Sequence, residues 1–247
     1  MIGNIRADLD RFYELLARLS VVPEQGRLLK ELNARVLPLR GVYFFQEPGE
    51  YRNLQPDALR VVRVGTHAVS VASKSTLRGR LNAHRGPRHG GGNHRGSVFR
   101  LEVGASLLAR DGHELPTWGI GSVAPKAVRE KPEVAAAEAA HEQRVSAFIG
   151  AMPVLWIDVS DEPCRDSARA YVERNAIALL SNRLEPVDRS SDKWLGRYSP
   201  RSEIRDSALW NKRHVLDSYD PRFLEQLELF IDHTCQQSGA RQPARIE

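Results

Sequence analysis

Cysteine is nearly missing from this chain: Cys164 and Cys235 are the only two in 247 residues. Their spacing fits neither a zinc-binding pair nor a disulfide framework, so a reducing, cytoplasmic setting is expected. No apolar run approaches the roughly 18 residues that a membrane span requires, and the N-terminus lacks the apolar region of a signal peptide. Neither secretion nor a membrane partner is expected. Internal repeats are missing, and no Walker loop or dinucleotide fingerprint occurs. An acidic excess is missing as well: Lys and Arg number 36 against 31 Asp and Glu, for a net charge of +5. That balance favours a polyanionic partner, nucleic acid first. The apolar share, 41%, is slightly low for a globular chain but above the disordered range, so a substantial core is expected.

What is present centres on residues 41–84. Gly41-Val42-Tyr43-Phe44-Phe45 is an apolar, aromatic run that predicts a buried strand. A turn-rich stretch, 47–57, separates it from a second β-branched run, Leu59 to Val64, ended by Gly65. Ser75 to His84 then reads as a helix capped by Ser75 or Ser73. Flanking segments supply more helices: residues 5–19 with an apolar stripe, 97–109, 133–148, and about 163–180 with Pro163 in its first turn. Residues 152–159 predict a third, central strand, and a final amphipathic helix begins near Asp220-Pro221. Residues 111–132, rich in proline and glycine around Trp118, predict an irregular insertion, and 236–247 a disordered tail.

Gly41-Val42-Tyr43 and Arg63-Val64-Gly65 resemble the two signature triplets of the GIY-YIG nuclease superfamily. Leu77-x-x-Arg80-Leu81-x-x-His84 resembles its arginine helix, with the following histidine seen in the restriction-enzyme branch. Tyr171-Val172-Glu173-Arg174-Asn175-Ala176-Ile177 is similar to its glutamate helix. The matches run from about 39 to 182 in the expected order. The departure is Arg63, which stands where the second triplet begins with tyrosine. The resemblance implies a nuclease core over 39–182 with an insertion at about 85–132, preceded by a helical segment, 1–38, and followed by an extension, 183–247. It implies an α+β fold: a small three-stranded, mainly antiparallel sheet flanked by helices.

Phosphodiester hydrolysis needs a nucleophilic water, a base, and positive charge for the transition state. Glu173 lies on a helix face with Ala170, Ala176, Ile177 and Leu180; a carboxylate there is costly to bury without a partner. It suits Mg²⁺ or Mn²⁺, a hard cation that accepts few protein oxygens. Arg80 and His84 share a helix face. Arg80 suits two phosphate oxygens, better placed by the Arg-Leu-x-x-His spacing than Arg78, and His84 could accept or relay a proton. Tyr43 points opposite to Val42 and Phe44; in the resemblance its hydroxyl helps activate water. Arg63 can bind phosphate but cannot act as base, leaving Tyr43 with His84, or Tyr51, for that part. Asn211, after Trp210, fits the family's site asparagine better than Asn182. The stretch from Arg85 to Arg95 is glycine-rich, with Arg85, Arg88, His89, Asn93, His94 and Arg95 as candidate phosphate contacts in an exposed, mobile loop. His84, His89 and His94 have no cysteine beside them, which argues against structural zinc. The expected function is a divalent-metal-dependent DNA endonuclease, with assembly into a homo-oligomer on DNA as one expectation. The alternative is an inactive member of the same class, kept as a nucleic-acid-binding module or partner-recruiting subunit.

Overall fold

The computed structural model describes residues 4–120 and 131–240. Three strands, β1 (Gly41–Tyr51), β2 (Leu59–Gly65) and β3 (Val154–Asp158), form a sheet of order β2-β1-β3 in which both pairings are antiparallel. With the helices around it this is the expected α+β fold. Tyr43 faces Gly65 on one side and Trp156 on the other, and the register with β2 shifts after Phe45.

Side chains alternate along β1 and so feed two layers. Val42 and Phe44 pack with Val64 and Ile157 beneath α1 (Ile5–Ala17), α5 (Ala168–Leu180) and α7 (Phe223–Ala240). Tyr43 and Phe45 enter the other layer, with Leu77 and Leu81 of α2 (Leu77–Arg85), Phe99 and Val103 of α3 (Val98–Asp111), and Val145 and Ile149 of α4 (Pro132–Gly150). The short α6 (Ser202–Ser207) adds Ile204, close to Trp194 and Trp210. Phe44 and Phe45 are fully buried; truncating either to alanine would cost about 3–5 kcal/mol.

β1 continues to Tyr51, well beyond the Gly41–Phe45 run that predicts it. Buried polar partners draw the turn-rich residues into the sheet. Glu47 Oε2 accepts hydrogen bonds from both indoles, Trp194 at 3.1 Å and Trp210 at 3.0 Å, and Glu50 pairs with Arg60 at 3.0 Å. The cap of α2 is Thr76, which accepts from the Gly79 amide at 3.0 Å; Ser73 instead accepts from Ser75. α5 begins at Ala168 behind the Ser167 cap, so Pro163 precedes the helix rather than opening it. α3 continues to Asp111, and Gly112, at φ 65°, ends it in the left-handed conformation that glycine tolerates. The expected irregular insertion is thus shortened at both ends, Pro132 being the first residue of α4; residues 121–130 lie outside the described residues. α7 extends to Ala240, so 236–240 are helical rather than disordered, and 241–247 lie outside the described residues.

The central strand is β1 rather than the 152–159 segment expected there, and β3 lies at the edge of the sheet. Both outer strands are closed by a side-chain amide. On β2, Asn211 accepts from the Val64 N–H at 3.1 Å and donates to the Val64 carbonyl at 2.8 Å. On β3, Gln25 does the same for Trp156, at 2.9 and 2.7 Å. Each amide takes the place of a residue in a neighbouring strand.

Candidate active site

The site is built where β1, the end of β2, and the start of the β2–α2 connection meet. The Tyr43 ring lies directly on Gly65: a Cβ at that position would sit 2.2 Å from the phenolic oxygen. Only glycine permits this approach. The Tyr43 hydroxyl is hydrogen-bonded to His84 Nε2 at 2.8 Å, and His84 Nδ1 to Ser97 Oγ at 2.7 Å. Ser97 caps α3, accepting from the Arg100 amide at 3.2 Å. Tyr43 and His84 are both wholly buried. Burial pushes the His84 pKa well below its ordinary value, and the charges of Arg63, Arg80 and Arg100 push the same way. The imidazole is therefore neutral at neutral pH.

Two guanidinium groups flank this pair. Arg63 projects to the Tyr43 side of the sheet, stacks over Phe99 at 4.7 Å, and donates to the Trp210 carbonyl at 2.6 Å. Arg80 is half-buried on α2. Glu173 comes from α5, whose body packs under the opposite layer. Its carboxylate reaches past the end of β2, where Oε1 accepts from the Thr66 N–H at 3.1 Å. Thr66 Oγ1 in turn donates to the Gly41 carbonyl at 2.9 Å, joining the ends of β1 and β2. Burial raises the Glu173 pKa, opposed by Arg63, by the Thr66 N–H, and by His214 and Arg80. Arg63 and Arg80 thus act on both His84 and Glu173, which ties the two halves of the site together electrostatically.

The other sequence candidates are placed as follows. Asn211 has both amide atoms on the Val64 backbone, one residue before Gly65, and so bears on the site through strand geometry. Asn182 is bonded to the Asp188 carbonyl, and the Arg78 Nε to the Ala34 carbonyl. Tyr51 is half-exposed at the far end of β1. The glycine-rich stretch is pinned rather than free, because Arg100 and Ser146 both donate to the Gly91 carbonyl. His94 and Arg95 turn inward: His94 is buried against Trp118 and bonded to Glu142, and Arg95 forms a two-pronged pair with Glu138. Neither is presented to a polyanion. Asn93 caps the turn that follows, while Arg88 and His89 are exposed and Arg85 half-buried.

Sequence reasoning missed Thr66, His67, His214 and the role of Ser97. Ser97 stands just before an apolar periodic run, a cap signal that was readable; nothing in the spacing marks the other three. Among the described residues no group of three or more His, Cys, Asp or Glu side chains gathers to hold a metal. Mg²⁺ does not need one, since it is commonly bound through one or two carboxylates, waters and substrate phosphates. Glu173 fits that part: Oε2 takes no hydrogen bond among the described residues, and its partly desolvated charge lacks a salt-bridge partner. A cavity of about 330 Å³ lies elsewhere, beside β3, lined by Val22, Trp156 and Thr234 among others.

A tyrosine on the central strand, an arginine helix after the second strand and a glutamate helix after the third define a nuclease-type domain. The GIY-YIG domain model matches residues 4–237, and the chain belongs to that family, whose members are in general nucleases. No curated protein and no solved structure matches the chain.

Proposed function

We propose that the protein is a divalent-metal-dependent DNA endonuclease of the cytoplasm. The observation that supports this most directly is the Glu173 carboxylate, anchored at one oxygen and free at the other, beside Arg63 and Arg80. With Mg²⁺ or Mn²⁺ bound at Glu173, the site would gain a positive centre for the charge that develops on the phosphate oxygens. Arg80 and Arg63 bring fixed guanidinium donors to the same phosphate. Tyr43, held in place by neutral His84, orients the attacking water. Arg85 and Arg88 hold the flanking backbone. A second reading, a binding module without hydrolysis, is favoured by two observations: Arg63 replaces a tyrosine, and the Tyr43 hydroxyl is enclosed by Gly65 and His84.

Incubation of purified protein with plasmid and branched or single-stranded DNA, in Mg²⁺ or Mn²⁺ against EDTA, separates them. Cleavage should need the metal. Glu173→Gln should lower it by two orders of magnitude or more, on the scale of about 3 kcal/mol for one lost electrostatic stabiliser, while DNA affinity holds or rises. A wild type that binds DNA as well as Glu173→Gln does, yet cuts with neither metal, would establish the binding module instead.

A further inference from the structure

Three buried polar atoms around this site have no hydrogen-bond partner among the described residues: Arg63 Nε, Arg80 Nε and His67 Nε2. Leaving such an atom unpaired is costly, and in a native protein it calls for an explanation. The set has a chemical sense. Two are N–H donors suited to phosphate oxygens, and the third is an acceptor.

His67 is two residues beyond Gly65 and directly follows Thr66, whose amide holds Glu173. It is only 5% exposed. Its Nδ1 lies 3.1 Å from the Ser75 carbonyl oxygen. A carbonyl can only accept, so Nδ1 carries the hydrogen and Nε2 is left with its lone pair. His84 offers no such lone pair to a substrate, because both its nitrogens are engaged, by Tyr43 and by Ser97.

Building on the nuclease reading above, we propose that His67 is the catalytic base, its Nε2 taking the proton from the attacking water in the part left vacant by Arg63. In this step the water oxygen forms the new P–O bond and its proton passes to Nε2. The bond from phosphorus to the leaving sugar oxygen breaks, its electron pair stays on that oxygen, and solvent supplies the proton there. The imidazolium then releases its proton to solvent.

The charges around His67 make this base dependent on substrate. Burial holds its pKa at about 4, with Arg169 of α5, Arg40 ahead of β1 and Arg80 of α2 pushing the same way and the Ser75 carbonyl opposing them. A phosphodiester docked on Arg80 offsets one of those charges, which raises the affinity of Nε2 for a proton when the substrate is in place. Without DNA the imidazole stays unprotonated at neutral pH, ready to accept.

The test pairs two substitutions with a spectroscopic measurement. His67→Asn can keep a donor to the Ser75 carbonyl while deleting Nε2. His67→Ala opens a space that free imidazole can fill. In single-turnover cleavage of a supercoiled plasmid with Mg²⁺, each should lower the rate by about 10²–10⁴-fold, the span typical of a general base. DNA binding in EDTA and the thermal unfolding midpoint should stay close to wild type for His67→Asn, and added imidazole should restore part of the activity of His67→Ala. By ¹⁵N NMR of wild type in EDTA, Nε2 should protonate at higher pH when duplex DNA is added. A His67→Asn rate within about twofold of wild type overturns the proposal and leaves the nuclease reading standing. A loss of cleavage matched by an equal loss of DNA binding also overturns it, since His67 would then serve docking. A wild type inert with both metals overturns both.

Discussion

Two groupings of the same three residue types occur in this protein, and their chemistry is opposite. In the first, Glu142, His94 and Arg100 satisfy one another. Glu142 accepts from the His94 amide at 2.6 Å, from His94 Nδ1 at 2.9 Å and from Arg100 Nε at 3.1 Å, and it also receives a second Arg100 nitrogen. His94 Nε2 accepts from the Gly119 amide at 3.2 Å, so neither ring nitrogen is free. Despite burial, these hydrogen bonds pull the Glu142 pKa down to about 2. In the second, Glu173, His67 and Arg80 stay largely unmet: one carboxylate oxygen, one imidazole lone pair and one guanidinium N–H lack partners among the described residues, and burial raises the Glu173 pKa. Saturation fixes a structure; incompleteness leaves room for a metal, a water and a phosphate. Composition alone does not tell the saturated trio from the open one, but the partner count of each atom does.

The sharpest way to break this contrast is Glu142→Gln. It leaves buried Arg100 without its counter-charge, and should cost about 3–5 kcal/mol of unfolding free energy in urea, while the fraction that stays folded keeps its cleavage rate. An unchanged midpoint would mean the first grouping does not hold the fold. Acid titration examines the same carboxylate. Its folded pKa, about 2, lies below the ordinary 4.5, so its contribution is complete above pH 4.5 and is lost as pH falls from there toward 2. Roughly 3 kcal/mol should disappear over that window, and Glu142→Gln should show a flatter curve. Ser97→Ala, which leaves buried His84 Nδ1 unpartnered, should destabilise by about 1–3 kcal/mol; a wild-type midpoint would show that a water replaces the hydroxyl. Mg²⁺ at tenfold its dissociation constant should stabilise wild type by about 1.4 kcal/mol, with no shift in Glu173→Gln. An equal shift in both proteins would move the metal away from Glu173. The smallest effect is expected from Arg85→Ala with Arg88→Ala: weaker DNA binding on every sequence, and a log-affinity against log-salt slope reduced by up to about 2 units.

Much of the frame was legible from patterning. The β-branched and aromatic runs of β1 and β2, the alanine-rich α4 and the apolar stripes of α1 and α7 depend on local spacing, and the structure has them where the spacing puts them. Tyr43, Arg80, His84 and Glu173 could be named because they stand inside short motifs. The glycine-rich stretch misled, because its order comes from Arg100 and Ser146 on distant helices reaching the Gly91 carbonyl. His94 and Arg95 looked like surface cations for the same reason: Glu142 and Glu138, more than 40 residues away in the chain, take them inward. His67 was overlooked because what sets it apart is an Nε2 atom that has no partner among the described residues. That is a property of three-dimensional surroundings, and no spacing rule expresses it.

The two amides that close the sheet have a consequence for how this protein can meet others. An open outer strand is a template on which a stray segment of another chain can crystallise, one hydrogen bond after the next. Here Asn211 occupies Val64 near the end of one rim and Gln25 occupies Trp156 in the middle of the other, each blocking both polar atoms of that residue. Growth of the sheet from either side would first have to evict an amide that belongs to the chain itself. Self-association through shared strands, the usual route to amyloid-like aggregates, is therefore hindered at the two places where a three-stranded sheet is most open to it. Any pairing of copies along a DNA duplex is left to helices, loops or the duplex itself.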